Sequence, residues 1–121
     1  MSVKILIADD DNDIRELIKN ILILEDYIIL EAANGDEALK ILDQQEVNLL
    51  ITDIFMPKMS GIELAVKIKA HYANLKILGI TGGGNFVSSD QVKMMSNDFF
   101  TSFLKKPFEY TELIEKVKEL L

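Results

Sequence analysis

Cysteine is absent from this chain of 121 residues. That removes disulfide frameworks, thiolate nucleophiles and zinc–thiolate centres, and it fits a reducing, cytoplasmic setting. Histidine occurs once, as His71 in a polar segment after a helical stretch. A lone imidazole there reads as exposed and inert, and it excludes a kinase core carrying its own histidine chemistry. Positive charge is also scarce, with 13 basic residues against 20 acidic and a net charge of −7. A phosphate-backbone binder needs a basic face, so neither nucleic acid nor an anionic membrane surface is expected as a partner. No run approaches the roughly 18 apolar residues that suggest a membrane span. The N-terminus lacks the basic region and long apolar core of a signal peptide. Gly82-Gly83-Gly84 is not followed by Lys-Ser/Thr and is no phosphate-cradling loop. The length fits one domain over 1–121, too short for a second, effector domain.

What the chain does have is acid behind apolar runs. Asp9-Asp10-Asp11 follows Val3-Lys4-Ile5-Leu6-Ile7-Ala8, and Asp53 follows Val47-Asn48-Leu49-Leu50-Ile51-Thr52. Two carboxylates about 4 Å apart repel by roughly 4 kcal/mol at an effective dielectric near 20. A chain that gathers them at strand ends neutralises them with a cation, uses them, or does both.

Short β-rich runs alternate with amphipathic helices along the chain. Ile14, Leu17, Ile18, Ile21 and Leu22 mark one helical face after the strand at 3–8, with Asp11 or Asn12 as its cap. A strand at about 27–32 leads through Asn34-Gly35 into a helix carrying Ala38, Leu39, Ile41 and Leu42. A third strand runs to Thr52, a loop holds Pro57 and Gly61, and a helix carries Ile62, Ala65 and Val66. A fourth strand covers Lys76 to Ile80, and a less regular helical stretch spans roughly 88–98. A short fifth strand ends near Lys105-Lys106-Pro107, and Leu113, Ile114, Val117 and Leu120 stripe a last helix. Five strand–helix pairs with continuous apolar strands predict an α/β fold: a doubly wound, five-stranded parallel sheet with helices on both faces. Such sheets bind ligands outside the carboxyl ends of their strands. Asp9, Asp10, Asp53, Thr81 and Lys106 all fall there.

These residues, in this order and spacing, resemble the receiver domain of bacterial two-component response regulators over essentially the whole chain. The matching pieces are Ile7-Ala8-Asp9-Asp10-Asp11, Thr52-Asp53-Ile54-Phe55-Met56-Pro57 with Gly61 behind it, Thr81, and Lys106-Pro107-Phe108. The resemblance implies the flavodoxin-like strand order 2-1-3-4-5 and a free-standing phosphorylation switch. It implies that Asp53 accepts a phosphoryl group from a sensor histidine kinase or a histidine phosphotransfer protein. By the same resemblance, Asp9, Asp10, Asp53 and the backbone carbonyl of Phe55 hold Mg²⁺, and Lys106 pairs with the acceptor and then with the phosphoryl group. Thr81 donates its hydroxyl to a phosphoryl oxygen, and Phe103 reorients with it. The output is contact with a downstream protein target, or onward relay to another histidine, through the face of the fourth helix, fifth strand and last helix. Phosphoryl transfer needs positioning and neutralisation of charge on the equatorial oxygens, which a hard cation, an ammonium and a hydroxyl supply.

Plainer roles compete for some residues. Asp11 suits a helix N-terminus, and Phe103 suits the core as well as a switch. The segment from Thr81 to Lys106 is about three positions longer than the family leads one to expect. Asp98-Phe99-Phe100 stands where Gly-Ala is usual before the fifth strand, and Phe103 offers no hydroxyl to a partner. The triple glycine admits backbone conformations closed to other residues, which predicts a mobile loop beside the acceptor. Two other classes fit parts of the pattern. A haloacid-dehalogenase-like phosphatase uses an Asp-x-Asp nucleophile after its first strand, a spacing that Asp9-Asp10-Asp11 contains, but the short chain, the missing cap and the Asp53 to Pro57 loop oppose it. A flavodoxin-like cofactor carrier fails because an acidic first loop would repel a phosphate.

Overall fold

The structure is a computed structural model that describes residues 2–82 and 99–121. Five strands and four helices are formed there: β1 Lys4–Ala8, α1 Asn12–Ile23, β2 Ile28–Ala32, α2 Gly35–Gln44, β3 Leu49–Asp53, α3 Gly61–His71, β4 Lys76–Thr81, β5 Ser102–Lys105 and α4 Tyr110–Leu120. The helical stretch expected over 88–98, and Gly83 and Gly84 of the expected mobile loop, lie outside the described residues.

The strands form one sheet in the order β2-β1-β3-β4-β5, every neighbouring pair parallel. Alternation along each strand divides the core in two. Leu6, Leu50 and Ile77 face α2 and α3, where Ala38, Leu42, Leu64 and Ile68 meet them. Ile5, Ile7, Leu49, Ile51, Leu78 and Ile80 face α1 and α4, against Ile18, Leu22, Leu113 and Val117. The three central strands are covered on both sides, which is why they read as unbroken apolar runs. Edge strand β2 is only partly buried until Ala32.

Side chains set the helix starts. Asp11 caps α1 by accepting from the Asp13 and Ile14 amides, Asn34 caps α2 by accepting from Glu37, and Ser60 caps α3 by accepting from Glu63. At α4, Glu109 and Glu112 make a reciprocal capping box. These caps fix where each strand-to-helix loop ends at the carboxyl edge of the sheet.

One departure from the expected boundaries concerns the site. β3 continues one residue beyond Thr52, so that Asp53 itself pairs in register with Ile80. The Ile54 amide then donates to the Ile80 carbonyl at 3.1 Å. Asp53 is therefore a strand residue held by the ladder.

Candidate functional site

Asp9 follows β1 directly, and its amide donates to the Ala32 carbonyl at 3.1 Å. Its Oδ1 accepts from the Asp11 amide at 2.9 Å, while Oδ2 is buried without a hydrogen-bond partner. Asp9 is 1% exposed and Asp53 9%, whereas Asp10 is exposed at the rim. Asp53 Oδ1 accepts from the Phe55 amide at 3.2 Å, which turns the chain out of the strand towards the next loop. Each of Asp9, Asp10 and Asp53 offers an oxygen within 4.8 Å of the others.

Lys106 enters from the far side of the sheet. Its amide donates to the Thr81 carbonyl at 2.8 Å, which continues the β4–β5 pairing one residue past the ladder. Its ammonium lies 3.7 Å from Asp53 Oδ2 and 3.9 Å from Asp9 Oδ2. One cation thus faces two buried carboxylates that repel each other. Burial is the largest influence on both and favours their neutral forms; it pushes Asp9 up to about 6, and it raises Asp53 against the pull of Lys106.

The loop between β3 and α3 is shaped by Gly61. A Cβ there would meet the Asp53 carbonyl oxygen at 2.2 Å and Ile54 Cα at 2.8 Å. Only glycine lets the start of α3 close over the end of β3, where its amide donates to the Ile54 carbonyl at 2.8 Å. Between them Lys58 takes a positive φ of 69°. Phe55 sits half-exposed in this loop, two residues beyond Asp53.

Of the residues singled out from sequence, Asp9, Asp10, Asp53 and Lys106 are brought into one crevice. Thr81 ends β4 at the same edge and is partly exposed, but among the described residues no hydrogen bond joins its hydroxyl to the carboxylates. Phe103 lies on β5, partly buried and stacked on Phe100 with ring centroids 4.9 Å apart. Asp11 spends its carboxylate on the α1 cap and takes no part in the cluster. His71 is exposed at the end of α3.

Sequence reasoning missed Arg15. Its Nη1 donates to the Asp9 backbone carbonyl at 2.6 Å, and its Nε lies 3.3 Å from Glu31. A cation near a helix N-terminus opposes the macrodipole, and that mismatch is the signal that could have pointed to a partner. Arg15 holds the Asp9 main chain from behind while Lys106 faces its side chain.

The donors suit a small hard cation. Carboxylate and carbonyl oxygens with room for retained water are what Mg²⁺ takes, and Asp9 Oδ2 is a buried acceptor without a donor. Three carboxylates and one ammonium leave a formal charge of −2 (−3 + 1), which one divalent ion balances.

A doubly wound parallel sheet in this strand order, with its polar crevice at the carboxyl edge, defines the flavodoxin-like class of α/β domains. The chain belongs to the response regulator receiver domain family, which it matches over residues 5–118. The response regulator receiver protein CpdR of Brucella abortus is 33% identical, with 98% of this chain and 96% of that protein covered. The transcriptional regulatory protein SrrA of Staphylococcus aureus is 33% identical over all of this chain, which spans 48% of SrrA. Among solved structures, the response regulator TrrA of Thermotoga maritima, in complex with Mg²⁺–BeF, superposes with a TM-score of 0.86 at 39% identity, covering 98% of this chain and 99% of TrrA. Membership of this family leaves the phosphatase alternative without support, and the capping role of Asp11 removes the second acid of its Asp-x-Asp pair. No described helix is long and apolar enough to cross a membrane.

Proposed function

We propose that the chain is a phosphorylation switch in which Asp53 is the acceptor. A carboxylate oxygen of Asp53 attacks the phosphorus of a phosphohistidine on a sensor kinase or phosphotransfer protein. The new O–P bond forms as the P–N bond breaks, and the departing imidazole keeps the electron pair and takes up a proton from water. The observation that carries this reading is the Lys106 ammonium, set within 4 Å of both Asp53 and Asp9. It faces the attacking oxygen before transfer and the phosphoryl oxygens after it, so charge developing in the transition state meets a cation already in place.

Asp9, Asp10, Asp53 and the Phe55 carbonyl would hold Mg²⁺. Bound there, the ion supplies neutralisation of the equatorial phosphoryl oxygens. The Mg²⁺–BeF complex of TrrA supports the same assignment here. Asp9 is held at its main chain by Arg15 and at Oδ1 by the Asp11 amide, which leaves Oδ2 for the ion. Thr81, on the strand next to Asp53, donates its hydroxyl once a phosphoryl oxygen comes within reach. The chain acts as a phosphoacceptor rather than a turnover enzyme, and it works in the cytoplasm. Its output is a protein contact through the β5 and α4 side of the sheet.

The test is labelling with a small acyl-phosphate donor in Mg²⁺, read by intact mass. One phosphoryl group on the native chain and none on Asp53→Asn is the expected result. Steady release of phosphate from a phosphomonoester, without a labelled protein, would contradict it.

A further inference from the structure

Just below the acidic edge, one row of the sheet facing α2 and α3 is made almost entirely of small residues. Ala32, Ala8, Thr52, Gly79 and Phe103 are aligned in register across the five strands. The one large side chain in the row is Phe103, and the space beside it over Gly79 is filled by Phe100 from outside the sheet. Phe100 is buried, and a Cβ at Gly79 would lie 2.9 Å from its Cδ1 and Cε1 and 3.0 Å from Phe103 Cδ1. Both rings therefore lie on bare backbone, and their 36° tilt at 4.9 Å is a favourable aromatic arrangement. Phe100 is anchored by the next residue: the Thr101 amide donates to the Ile77 carbonyl at 2.8 Å, and the Ile77 amide donates to Thr101 Oγ1 at 3.0 Å.

We propose that Phe100 is a positioning residue, a wedge seated over Gly79 that sets the resting orientation of the Phe103 ring. It thereby sets how readily occupancy of the Asp53 site turns that ring. The size exchange at Gly79 and Phe100 makes the wedge possible: a side chain on β4 is deleted and a ring is added ahead of β5. Gly79 lies two residues before Thr81 on the same strand, so a ring pressed on it is mechanically close to the acceptor. The functional half of this inference rests on the phosphoacceptor reading; the packing half does not.

The experiment places 4-fluorophenylalanine at position 103 of the full chain and follows its fluorine resonance while Mg²⁺ and beryllium fluoride are titrated. With Phe100 present, one sharp resonance is expected before titration. In Phe100→Leu it should shift or broaden by exchange, and the titration midpoint should fall about two- to tenfold, the span of an aromatic pair energy converted to an equilibrium constant. Phe100→Tyr, which keeps the ring, should restore both. A Phe100→Leu protein that unfolds cooperatively yet keeps the native resonance and midpoint would overturn the proposal. Should Phe100→Leu not fold, Gly79→Ala presses on both rings from the strand side, and a native-like resonance there overturns it equally. A resonance that responds to Phe100→Leu, in a protein where beryllium fluoride moves nothing, would uphold the wedge and overturn the acceptor reading.

Discussion

At the amino end of the sheet, the Lys4 amide donates to Asn48 Oδ1 and the Asn48 amide returns a bond to the Lys4 carbonyl, each at 2.8 Å. Nearby, the Lys76 ammonium donates to the Leu120 carbonyl at 2.6 Å. At the carboxyl end, Asp9 Oδ2 is buried without a donor, and two carboxylates sit raised above their ordinary range by burial. The same strands run through both ends, so the sheet itself does not cause the difference. One end uses its polar groups to close the fold. The other leaves Asp9 Oδ2 without a donor and gathers an excess of negative charge that a divalent cation would offset. Stability is given up where binding is to occur.

The comparison breaks most severely if the carboxyl end loses its shape. Gly61→Ala drives a Cβ into the Asp53 carbonyl and should destabilise the protein by roughly 3 kcal/mol. Urea unfolding measures this, and it should do so with or without Mg²⁺.

Asp9→Asn removes a buried charge but can keep the bond from the Asp11 amide, so without divalent ions it should raise stability at pH 8 by roughly 3 kcal/mol. An Asp held at about 6 in the fold and near 4 when unfolded stabilises the fold below pH 4, and this contribution is lost as pH rises through 6. The gap between variant and native protein should therefore open between pH 4 and 6 and stay open above. A variant less stable than the native protein at pH 8 would show that these acids are not strained.

Mg²⁺ sharpens the contrast in the other direction. At tenfold excess over its dissociation constant it should stabilise the native chain by about 1.4 kcal/mol, and this gain should disappear in Asp9→Asn. A melting temperature indifferent to Mg²⁺ would argue against the cation site. The smallest effect belongs to the satisfied end: Asn48→Ala should cost about 1 kcal/mol and show neither the pH window nor the Mg²⁺ dependence.

Much of this was legible in the residues. β1 and β3 are buried on both faces, so their apolar runs announce them, and the expected strand at 3–8 differs from the observed Lys4–Ala8 by one residue. The positions of Asp9, Asp10, Asp53 and Lys106 followed from the rule that parallel strands end on one edge. Register was not legible. No local pattern tells that Gly79 lies opposite Phe103, or that Phe100 fills the space between them, because both facts depend on how β4 and β5 align. Arg15 carried a signal in its place near a helix N-terminus, but its contact with Asp9 is to a backbone carbonyl, which has no sequence signature. The role of Gly61 was legible as a motif residue, while its cause, a 2.2 Å approach to Asp53, is purely spatial.

In the proposed switch three neighbouring acids divide the labour: Asp53 accepts, while Asp9 and Asp10 seat the ion. Borohydride reduction of the phosphodonor-treated chain tests it most directly, because it converts an aspartyl phosphate to homoserine and leaves free carboxylates alone. Peptide mass analysis should find homoserine at position 53, in a Mg²⁺-dependent amount. Homoserine at position 9 or 10 instead would contradict the account.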